Sequence, residues 1–485
     1  MKKIRILSTL GVIGLVSIFS TVFGQGWNDS AVVALPTAPP VMPQVNIVSF
    51  NSTSFNSTSE YGIASYDVLA GDIELLKQEL AKKADKPDPQ KGFTHPRFVG
   101  RVLLDNVNIL GQDDDGAGYR GQNFFGVREA RFGALGEAHG FLDYRLEVGF
   151  DIAGGGVSFK DAYVGVKHVP VLGYMRVGNQ LVEDVGSDYY NLLSTSFIES
   201  PYAATSQSPG RRLGITSRHM FANNQGRLFL GTFGARNVGS GTQVVRDSNQ
   251  GVMLNARLFY APLFQQEGKR MFLYGGYYNY TSPQKHGANP AILPNSPGSW
   301  NLLCPAFIAN RSNMGHTQKA GFETIYQNGR FCLQTDLYLK HFSDIDGKAD
   351  GDATLYGGYV MGRLFLTKGD YRKYSMENGF WGALHVDHPF TMYQRGRVHY
   401  LQCTGAWELA TYYGFVNSGD FSHIVNATEH YGTDHQVGVS LNWYWNPQVK
   451  WAFSYVHQVA DITNGTGVSR KPNMDIVGLS CRIHW

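Results

Sequence analysis

The chain ends on the stretch Met474-Asp475-Ile476-Val477-Gly478-Leu479-Ser480-Cys481-Arg482-Ile483-His484-Trp485, in which residue character alternates with a period of two. One face carries the apolar residues Val477, Leu479, Cys481, Ile483 and Trp485. The other face carries Gly478, Ser480, Arg482 and His484. Because side chains of a β-strand point alternately to its two faces, this stretch is predicted to be a strand that ends on an aromatic residue.

The opposite end of the chain has the pattern of a secretory signal peptide. Lys2, Lys3 and Arg5 precede an apolar run over residues 6–23, and cleavage is expected before Gln25. Residues 1–24 are therefore predicted to be removed, and the mature chain to be exported. The rest of the sequence has no run of about eighteen apolar residues, so a helical membrane anchor is not expected.

Between these ends, residues 97–485 read as a series of strands of the same kind. In residues 141–152, apolar residues at every second position form one face, with Asp143, Arg145 and Glu147 on the other. Sixteen such segments occur in this range. The composition is also typical of a membrane barrel: the 57 glycines suit turns, the 13% aromatic residues suit aromatic girdles, and only 17% of the residues are charged. The prediction is an all-β, closed antiparallel transmembrane barrel. Its lipid-facing residues would include Leu142, Leu146, Phe150, Leu333, Leu337 and Leu339.

An even strand number places both ends of the barrel sequence on the periplasmic side of the membrane. The connections then alternate between short turns and longer external loops, with one exception. Residues 368–400 should form a short turn, yet they number about thirty-three, and residues 380–386 look like a strand. Eighteen strands are therefore kept as the alternative.

The segment before the barrel divides into two parts. Residues 25–60 are rich in Ser, Thr, Asn and Pro and are predicted to be a flexible lead-in. Residues 61–90 contain an apolar seam with helical spacing: Tyr66, Leu69, Ile73, Leu76 and Leu80. The seam suits one amphipathic helix docked on the barrel mouth, or a short periplasmic coiled coil that joins subunits. The coiled coil is the favoured interpretation.

Several motifs, in order along the chain, resemble the phosphate-selective porin O and P family of Gram-negative outer membranes. The first half of the barrel contains Arg128-Glu129-Ala130-Arg131-Phe132-Gly133, Tyr144-Arg145-Leu146-Glu147, Lys160-Asp161-Ala162-Tyr163-Val164, Arg176-Val177-Gly178-Asn179, Phe197-Ile198-Glu199-Ser200 and Pro209-Gly210-Arg211-Arg212-Leu213-Gly214. The second half contains Gly405-Ala406-Trp407-Glu408-Leu409-Ala410 and Leu441-Asn442-Trp443-Tyr444-Trp445-Asn446-Pro447. The order and spacing of the motifs across residues 97–485 make the match specific.

The resemblance implies a trimeric outer-membrane porin that passes small hydrophilic anions by passive diffusion, with phosphate as a candidate. It also implies that a long third loop, here residues 182–210 with many hydroxyl groups, folds inward and narrows the pore. Family members guide anions with arginines, whose planar fork can donate two hydrogen bonds to one phosphate. The expected partners are small anions such as phosphate, outer-membrane lipid, the barrel-assembly machinery and two further copies of the chain.

Strand alternation selects the arginines that could line such a pore. Seven fall on the polar face of their strands: Arg101, Arg131, Arg145, Arg176, Arg212, Arg218 and Arg257. Arg176 and Arg212 flank the third loop and are predicted to form the narrowest positive zone with it. For any single arginine, the favoured interpretation is an ordinary lumen charge paired with Asp143, Glu147 or Asp161 along a wet wall.

Two observations keep other functions open. Glu129 stands where the family usually shows a second arginine, and removal of Lys2, Lys3 and Arg5 leaves the mature chain formally neutral. A general, non-selective porin and a structural or surface-interaction barrel with a blocked lumen therefore remain alternatives. No motif for a catalytic centre, a cofactor, a metal or nucleic acid is found, so the chain is not expected to be an enzyme.

Overall fold

A computed structural model describes residues 92–112, 123–151, 156–187, 194–234, 251–282, 308, 314–348, 350–395 and 398–485. The expected signal peptide, the lead-in and the helical seam of residues 61–90 lie outside these ranges. No helix within them is long and apolar enough to cross a membrane. The α-helix α1 (Tyr202–Thr205) covers four residues.

Sixteen long strands of the described chain form the barrel wall. They are β1 (Arg97–Gln112), β2 (Phe124–Ala138), β3 (Leu142–Asp151), β4 (Gly156–Val169), β5 (Gly173–Leu181), β6 (Arg211–Phe221), β7 (Gly226–Gly234), β8 (Val252–Gln265), β9 (Arg270–Thr281), β10 (Thr317–Asn328), β11 (Phe331–Phe342), β12 (Ala353–Phe365), β17 (Ala406–Asn417), β18 (His430–Asn446), β19 (Val449–Asn464) and β21 (Asn473–His484). Each pairs antiparallel with its neighbours, and β1 pairs with both β2 and β21, which closes the sheet. The predicted fold is confirmed.

Side chains along these strands alternate between an apolar exterior and a polar interior. On β3, Leu146 is 49% exposed, whereas the next residue, Glu147, is buried. On β11, Leu339 is exposed and Asp336 is buried. The six predicted lipid-facing residues all take the outward parity of these two strands. A soluble β-sandwich buries its apolar residues and exposes its polar ones, whereas this wall does the opposite. Such a distribution suits a wall between lipid and a polar lumen.

The final aromatic residue lies at the seam where the barrel closes. The backbone of Trp485 exchanges two hydrogen bonds with Gly100 of β1, at 3.0 and 3.1 Å. The indole lies over Gly100 so closely that a Cβ at that position would collide with it. The two chain ends of the barrel therefore meet at the end that carries the short turns, which in such barrels is the periplasmic end.

The long connection between β12 and β17 forms two hairpins rather than two more wall strands. The first is β13 (Tyr371–Ser375) with β14 (Phe380–His385), and the second is β15 (Thr391–Arg395) with β16 (Val398–Cys403). Each hairpin pairs within itself, while β12 pairs directly with β17. The eighteen-strand alternative is therefore wrong, although residues 380–385 do form a strand. The two-residue β20 (Ser469–Arg470) extends the β19 edge.

Candidate permeation pathway through the barrel

The described parts of the third loop, residues 182–187 and 194–210, fold into the barrel interior. They are deeply buried, including Ser187, Phe197 and Tyr202. The ring of Phe197 packs edge-on against Tyr412 of β17, with ring centroids 4.6 Å apart. Phe197 and Ile198 belong to an apolar cluster with the inner faces of β17, β19, β21 and the upper part of β1. This apolar contact holds the loop against one side of the lumen.

The hairpin formed by β13 and β14, hereafter the inner hairpin, enters the lumen from the periplasmic end. Tyr374 and Trp381 are fully buried. They pack against inward-facing residues of β8–β11, among them Phe259 and Leu273. The indole nitrogen of Trp381 donates a hydrogen bond to Gln334 Oε1 at 2.9 Å. The excess length of this connection is visible in the sequence, but its position inside the barrel is not.

Buried arginines connect the third loop, the inner hairpin and the wall. Arg227 donates two hydrogen bonds to the carboxylate of Glu183, both at 2.7 Å, and one to the carbonyl of Glu377 at 2.8 Å. Glu183 belongs to the loop, and Glu377 to the tip of the inner hairpin. Burial alone would raise the pKa of Glu183, but the guanidinium groups of Arg227 and Arg218 outweigh it and lower that pKa to about 2. The loop carboxylate is therefore ionised and fixed.

A second buried pair holds the base of the inner hairpin. Arg372 of β13 donates to both oxygens of Glu408 on β17, each at 2.7 Å. The hydroxyl of Tyr444 donates to the same carboxylate at 2.9 Å. Loop and hairpin together occupy the lumen beside β7–β12 and β17–β21, which we call the filled side.

The rest of the lumen, beside β1–β6 and reaching the periplasmic ends of β18, β19 and β21, retains open space and is called the open side. Two cavities lie there, a small one of about 170 Å³ and a large one of about 380 Å³. Both are lined by Arg145, Asp161, Arg211 and Phe380, so they are adjacent. Phe380 belongs to the inner hairpin, which therefore separates the open side from the filled side.

Basic residues outnumber acidic ones around the small cavity. Its basic lining residues are Arg101, Arg131, Arg145, Arg211, Lys450 and Arg482, and its acidic ones are Glu147 and Asp161. Ion pairs run across the wall between these groups: Arg131 to Glu147 at 2.8 Å, and Arg211 to Asp161 at 2.9 Å. The pairs hold the guanidinium groups in place, and the excess of arginine and lysine leaves the cavity positive.

Arg176 lies on the open side and contacts two tyrosine rings. Its guanidinium carbon lies 4.3 Å from the ring centre of Tyr163 and 4.7 Å from that of Tyr174. Its Nε donates to the Tyr174 hydroxyl at 2.6 Å. Within the described residues it forms no direct salt bridge with a carboxylate, but the same Tyr174 hydroxyl donates to Asp143 Oδ2 at 2.6 Å. Stacking on aromatic rings stabilises a cation without cancelling its charge, so Arg176 keeps its positive charge where it lines the large cavity.

The structure separates the seven predicted arginines into groups. Arg101, Arg131 and Arg145 line the small cavity; Arg145, Arg176 and Arg218 line the large one. Arg218 also lies 3.3 Å from Glu183. Arg212 lines neither cavity and donates to the carbonyl of Arg211.

Arg257 has a structural position on the filled side. It is 0% exposed, and it donates to Glu323 and to the carbonyl of Gly379, both at 2.8 Å. Strand parity gives its inward direction correctly but contains no information on whether the space there is occupied.

Arg211 lines both cavities, and strand parity does not select it. As the first residue of β6 it follows Gly210, whose φ is +69°, and its side chain reaches Asp161 on β4. Alternation does not fix the direction of a side chain at the first residue of a strand. The adjacent Arg211-Arg212 pair is the signal in the sequence that points to this position.

A closed sixteen-strand barrel with an inward-folded third loop and a polar lumen defines a porin of the outer membrane. The model of the family described as phosphate-selective porin O and P matches residues 107–474. The chain belongs to this family, and its location is the outer membrane.

Several solved structures are similar to this chain in outline. The trimer form of OmpT from Vibrio cholerae is 13% identical, with a TM-score of 0.47 over 81% of this chain and 100% of that one. An anion-selective porin from Comamonas acidovorans is 14% identical, with a TM-score of 0.46 over 81% and 99%. The outer membrane channel DcaP of Acinetobacter baumannii is 12% identical, with a TM-score of 0.46 over 82% and 99%. No curated protein matches the chain.

Proposed function

We propose that this porin is a passive diffusion channel for small hydrophilic anions, with phosphate as a candidate solute. The observation that carries the proposal is the charge of the open side. Basic residues exceed acidic ones around the small cavity. Around the large cavity six basic residues face five acidic ones, and Arg176 meets Asp143 only through the Tyr174 hydroxyl. The proposal assigns no catalytic activity to the chain.

The physical basis is the action of fixed charge in a narrow passage. A positive charge within about 8–10 Å of a permeating ion acts on it before salt screens the field. The low-dielectric wall around the passage strengthens this effect and repels cations. Arginine suits an oxyanion because its guanidinium group can donate two parallel hydrogen bonds. A formally neutral mature chain can therefore still select anions, because selectivity depends on the fixed charges that line the passage and not on the net charge of the chain.

One observation supports a general porin as the second candidate. Carboxylates alternate with the guanidinium groups along the open side, and Glu129 lies 2.8 Å from Arg101 while also pairing with Arg131. Such pairing weakens the field of each arginine. A lumen lined in this way would pass ions of both signs.

We also propose that the functional unit is a homotrimer, and that residues 66–83 form the coiled coil beneath the three barrels. The apolar seam from Tyr66 to Leu80 supports the second part. Membership of the porin family supports the first part. Insertion would use the barrel-assembly machinery, with lipid around the outer wall.

Planar-bilayer recording in a salt gradient tests the function. The proposal predicts a reversal potential with the sign of an anion-preferring channel, and a lower chloride current when phosphate is added. A reversal potential near zero would favour the general porin. Absence of conductance from folded, inserted protein would favour the blocked barrel.

A further inference from the structure

A row of three tryptophans lies on the outer surface of the wall, close to the turn between β18 and β19. Trp407, Trp443 and Trp451 are direct cross-strand partners on β17, β18 and β19. They face outward, because Glu408 and Tyr444, which follow two of them, are buried on the inner side. Tryptophan at this level is typical of the aromatic girdle, which lies at the boundary between acyl chains and headgroups. The row therefore marks the height of the headgroups of the periplasmic leaflet.

The segment between the inner hairpin and β15 crosses from the lumen to this outer surface. Val386 still belongs to an apolar cluster inside the barrel, together with Ala406. Four residues later, Phe390 stacks on Trp445 with ring centroids 5.0 Å apart, and it meets Trp443 edge-on at 5.7 Å. The amide of Phe390 also donates to the carbonyl of Trp445 at 2.6 Å. The chain has therefore passed over the periplasmic rim of the barrel.

The hairpin formed by β15 and β16, which we call the outer hairpin, is attached beside the tryptophan row at both of its ends. Phe390 directly precedes β15, and Thr404 directly follows β16. The indole nitrogen of Trp443 donates to the carbonyl of Thr404 at 2.6 Å. Both ends of the outer hairpin are therefore fixed on the outside of the wall, at the height of the headgroups.

The outer hairpin exposes an apolar pair next to these attachment points. Met392 and Leu401 are cross-strand partners, and they are 53% and 56% exposed. Met392 lies two residues beyond Phe390, which at about 3.4 Å per residue is a distance of roughly 7 Å. The headgroup region of a bilayer is about 5–8 Å deep on each side. The apolar pair therefore lies within reach of lipid.

The charge of the outer hairpin has one sign. Its sequence from Thr391 to Cys403 contains two arginines and no aspartate or glutamate. One of the arginines, Arg395, is the last residue of β15. Segments that combine apolar surface with positive charge bind membrane surfaces, because acyl chains take up the apolar groups and anionic headgroups attract the charge.

We propose that the outer hairpin docks on the periplasmic leaflet of the outer membrane. Met392 and Leu401 enter the boundary of the acyl chains, and the arginines lie beside anionic phospholipid headgroups. Lipid is the occupant because both ends of the hairpin are fixed at the aromatic girdle, where lipid surrounds the wall. Docking holds the segment that leaves the lumen, so it anchors the inner hairpin from outside the barrel. The inference depends neither on the anion preference nor on the number of copies.

A pair of fluorescent labels on β16 tests the proposal. In a chain whose four native cysteines are replaced by serine, Leu401→Cys is compared with Gln402→Cys, an exposed neighbour of opposite strand parity. Each variant carries bimane and is reconstituted in bilayers of phosphatidylethanolamine and phosphatidylglycerol, and heat-modifiable migration on gels shows that it is folded. A doxyl-labelled phospholipid should quench bimane at position 401 several-fold more strongly than at position 402, and aqueous iodide should do the reverse. Equal quenching at the two positions would overturn the proposal.

The contribution of charge has its own measurement. Quenching by the doxyl lipid at position 401 should decrease when phosphatidylglycerol is left out, and also when Arg395→Gln is introduced with phosphatidylglycerol present. Quenching that is unchanged in both cases would refute the preference for anionic headgroups.

Photo-crosslinking in intact outer membranes identifies the occupant. The photoreactive residue p-benzoylphenylalanine at position 392 should give adducts with phospholipid. A product of twice the chain mass would show that a second copy covers the apolar pair, and a product with another periplasmic protein would show a different partner. Either protein product, in place of the lipid adduct, would overturn the assignment to lipid.

Discussion

The two sides of the lumen use the same residue type for different purposes. On the filled side, Arg227 and Arg372 are fully buried, and each binds one carboxylate through two hydrogen bonds. On the open side, Arg145 lines both cavities, and Arg176 stacks on tyrosines with no ion pair in the described part of the chain. The first group holds the third loop and inner hairpin in place, and the second provides charge to the passage. The surroundings of an arginine, more than its strand parity, decide which role it has.

The largest expected effect is a loss of stability caused by a substitution on the filled side. Glu408→Ala leaves Arg372 buried without its carboxylate, and breaking a buried pair in this way costs about 3–5 kcal/mol. The variant should unfold at a clearly lower denaturant concentration, which tryptophan fluorescence can measure. The control on the open side is Arg145→Ala, for which a smaller loss is expected, because its partners Glu147 and Asp161 keep their pairs with Arg131 and Arg211. Equal losses for the two variants would remove the distinction between the sides.

Removal of the inner hairpin tests its role as a filling element. Replacement of residues 371–385 by a short glycine-serine turn should empty part of the filled side, because Tyr374 and Trp381 leave with it. Single-channel conductance is expected to rise. The anion preference is expected to fall, because permeating ions in a wider lumen pass farther from the fixed positive charges. An unchanged conductance in a folded variant would mean that the current does not depend on this hairpin.

The filled side marks the limit of what the sequence reveals. Alternation predicts the strands, their facing and the closed barrel, because burial against lipid imposes a strict period of two. It also places Arg176 and Arg257 correctly on the inner face. It cannot show that Arg257 is enclosed, since that depends on the inner hairpin, which comes from residues more than one hundred positions later. The direction of Arg211 is not predicted either, because the first residue of a strand is not bound by the alternation.

A smaller effect is expected from reversing one charge on the open side. Arg176→Glu should lower or reverse the anion preference, because it replaces a positive charge that lines the large cavity and has no direct salt bridge among the described residues with a negative one. Arg212→Glu is the matched variant on the other side of the third loop, and since it lines neither cavity its effect should be weaker. The reversal potentials of the two single variants and of the double variant measure the anion preference of each channel. A stronger effect of Arg212→Glu than of Arg176→Glu would contradict the assignment of Arg176 to the permeation pathway.

The smallest expected effect concerns the tip of the inner hairpin. The side chain of Glu377 is exposed and lines the large cavity, while its carbonyl is held by Arg227. Glu377→Gln removes a negative charge without changing size, so the anion preference should increase slightly, by less than about 1 kcal/mol given the strong screening near water. The control is Glu267→Gln, outside both cavities. A decrease in anion preference at position 377 would contradict the proposed path.

The central claim is that ions pass along the open side, and cysteine modification during bilayer recording tests it most directly. In a chain whose four native cysteines are replaced by serine, Arg176→Cys is compared with Ala410→Cys on the filled side, where Ala410 is buried beside the third loop. A negatively charged methanethiosulfonate reagent is then added to the open channel. We predict that the current through the Arg176→Cys channel falls on modification, while the Ala410→Cys channel does not respond. A loss of current at position 410 with none at position 176 would contradict the account.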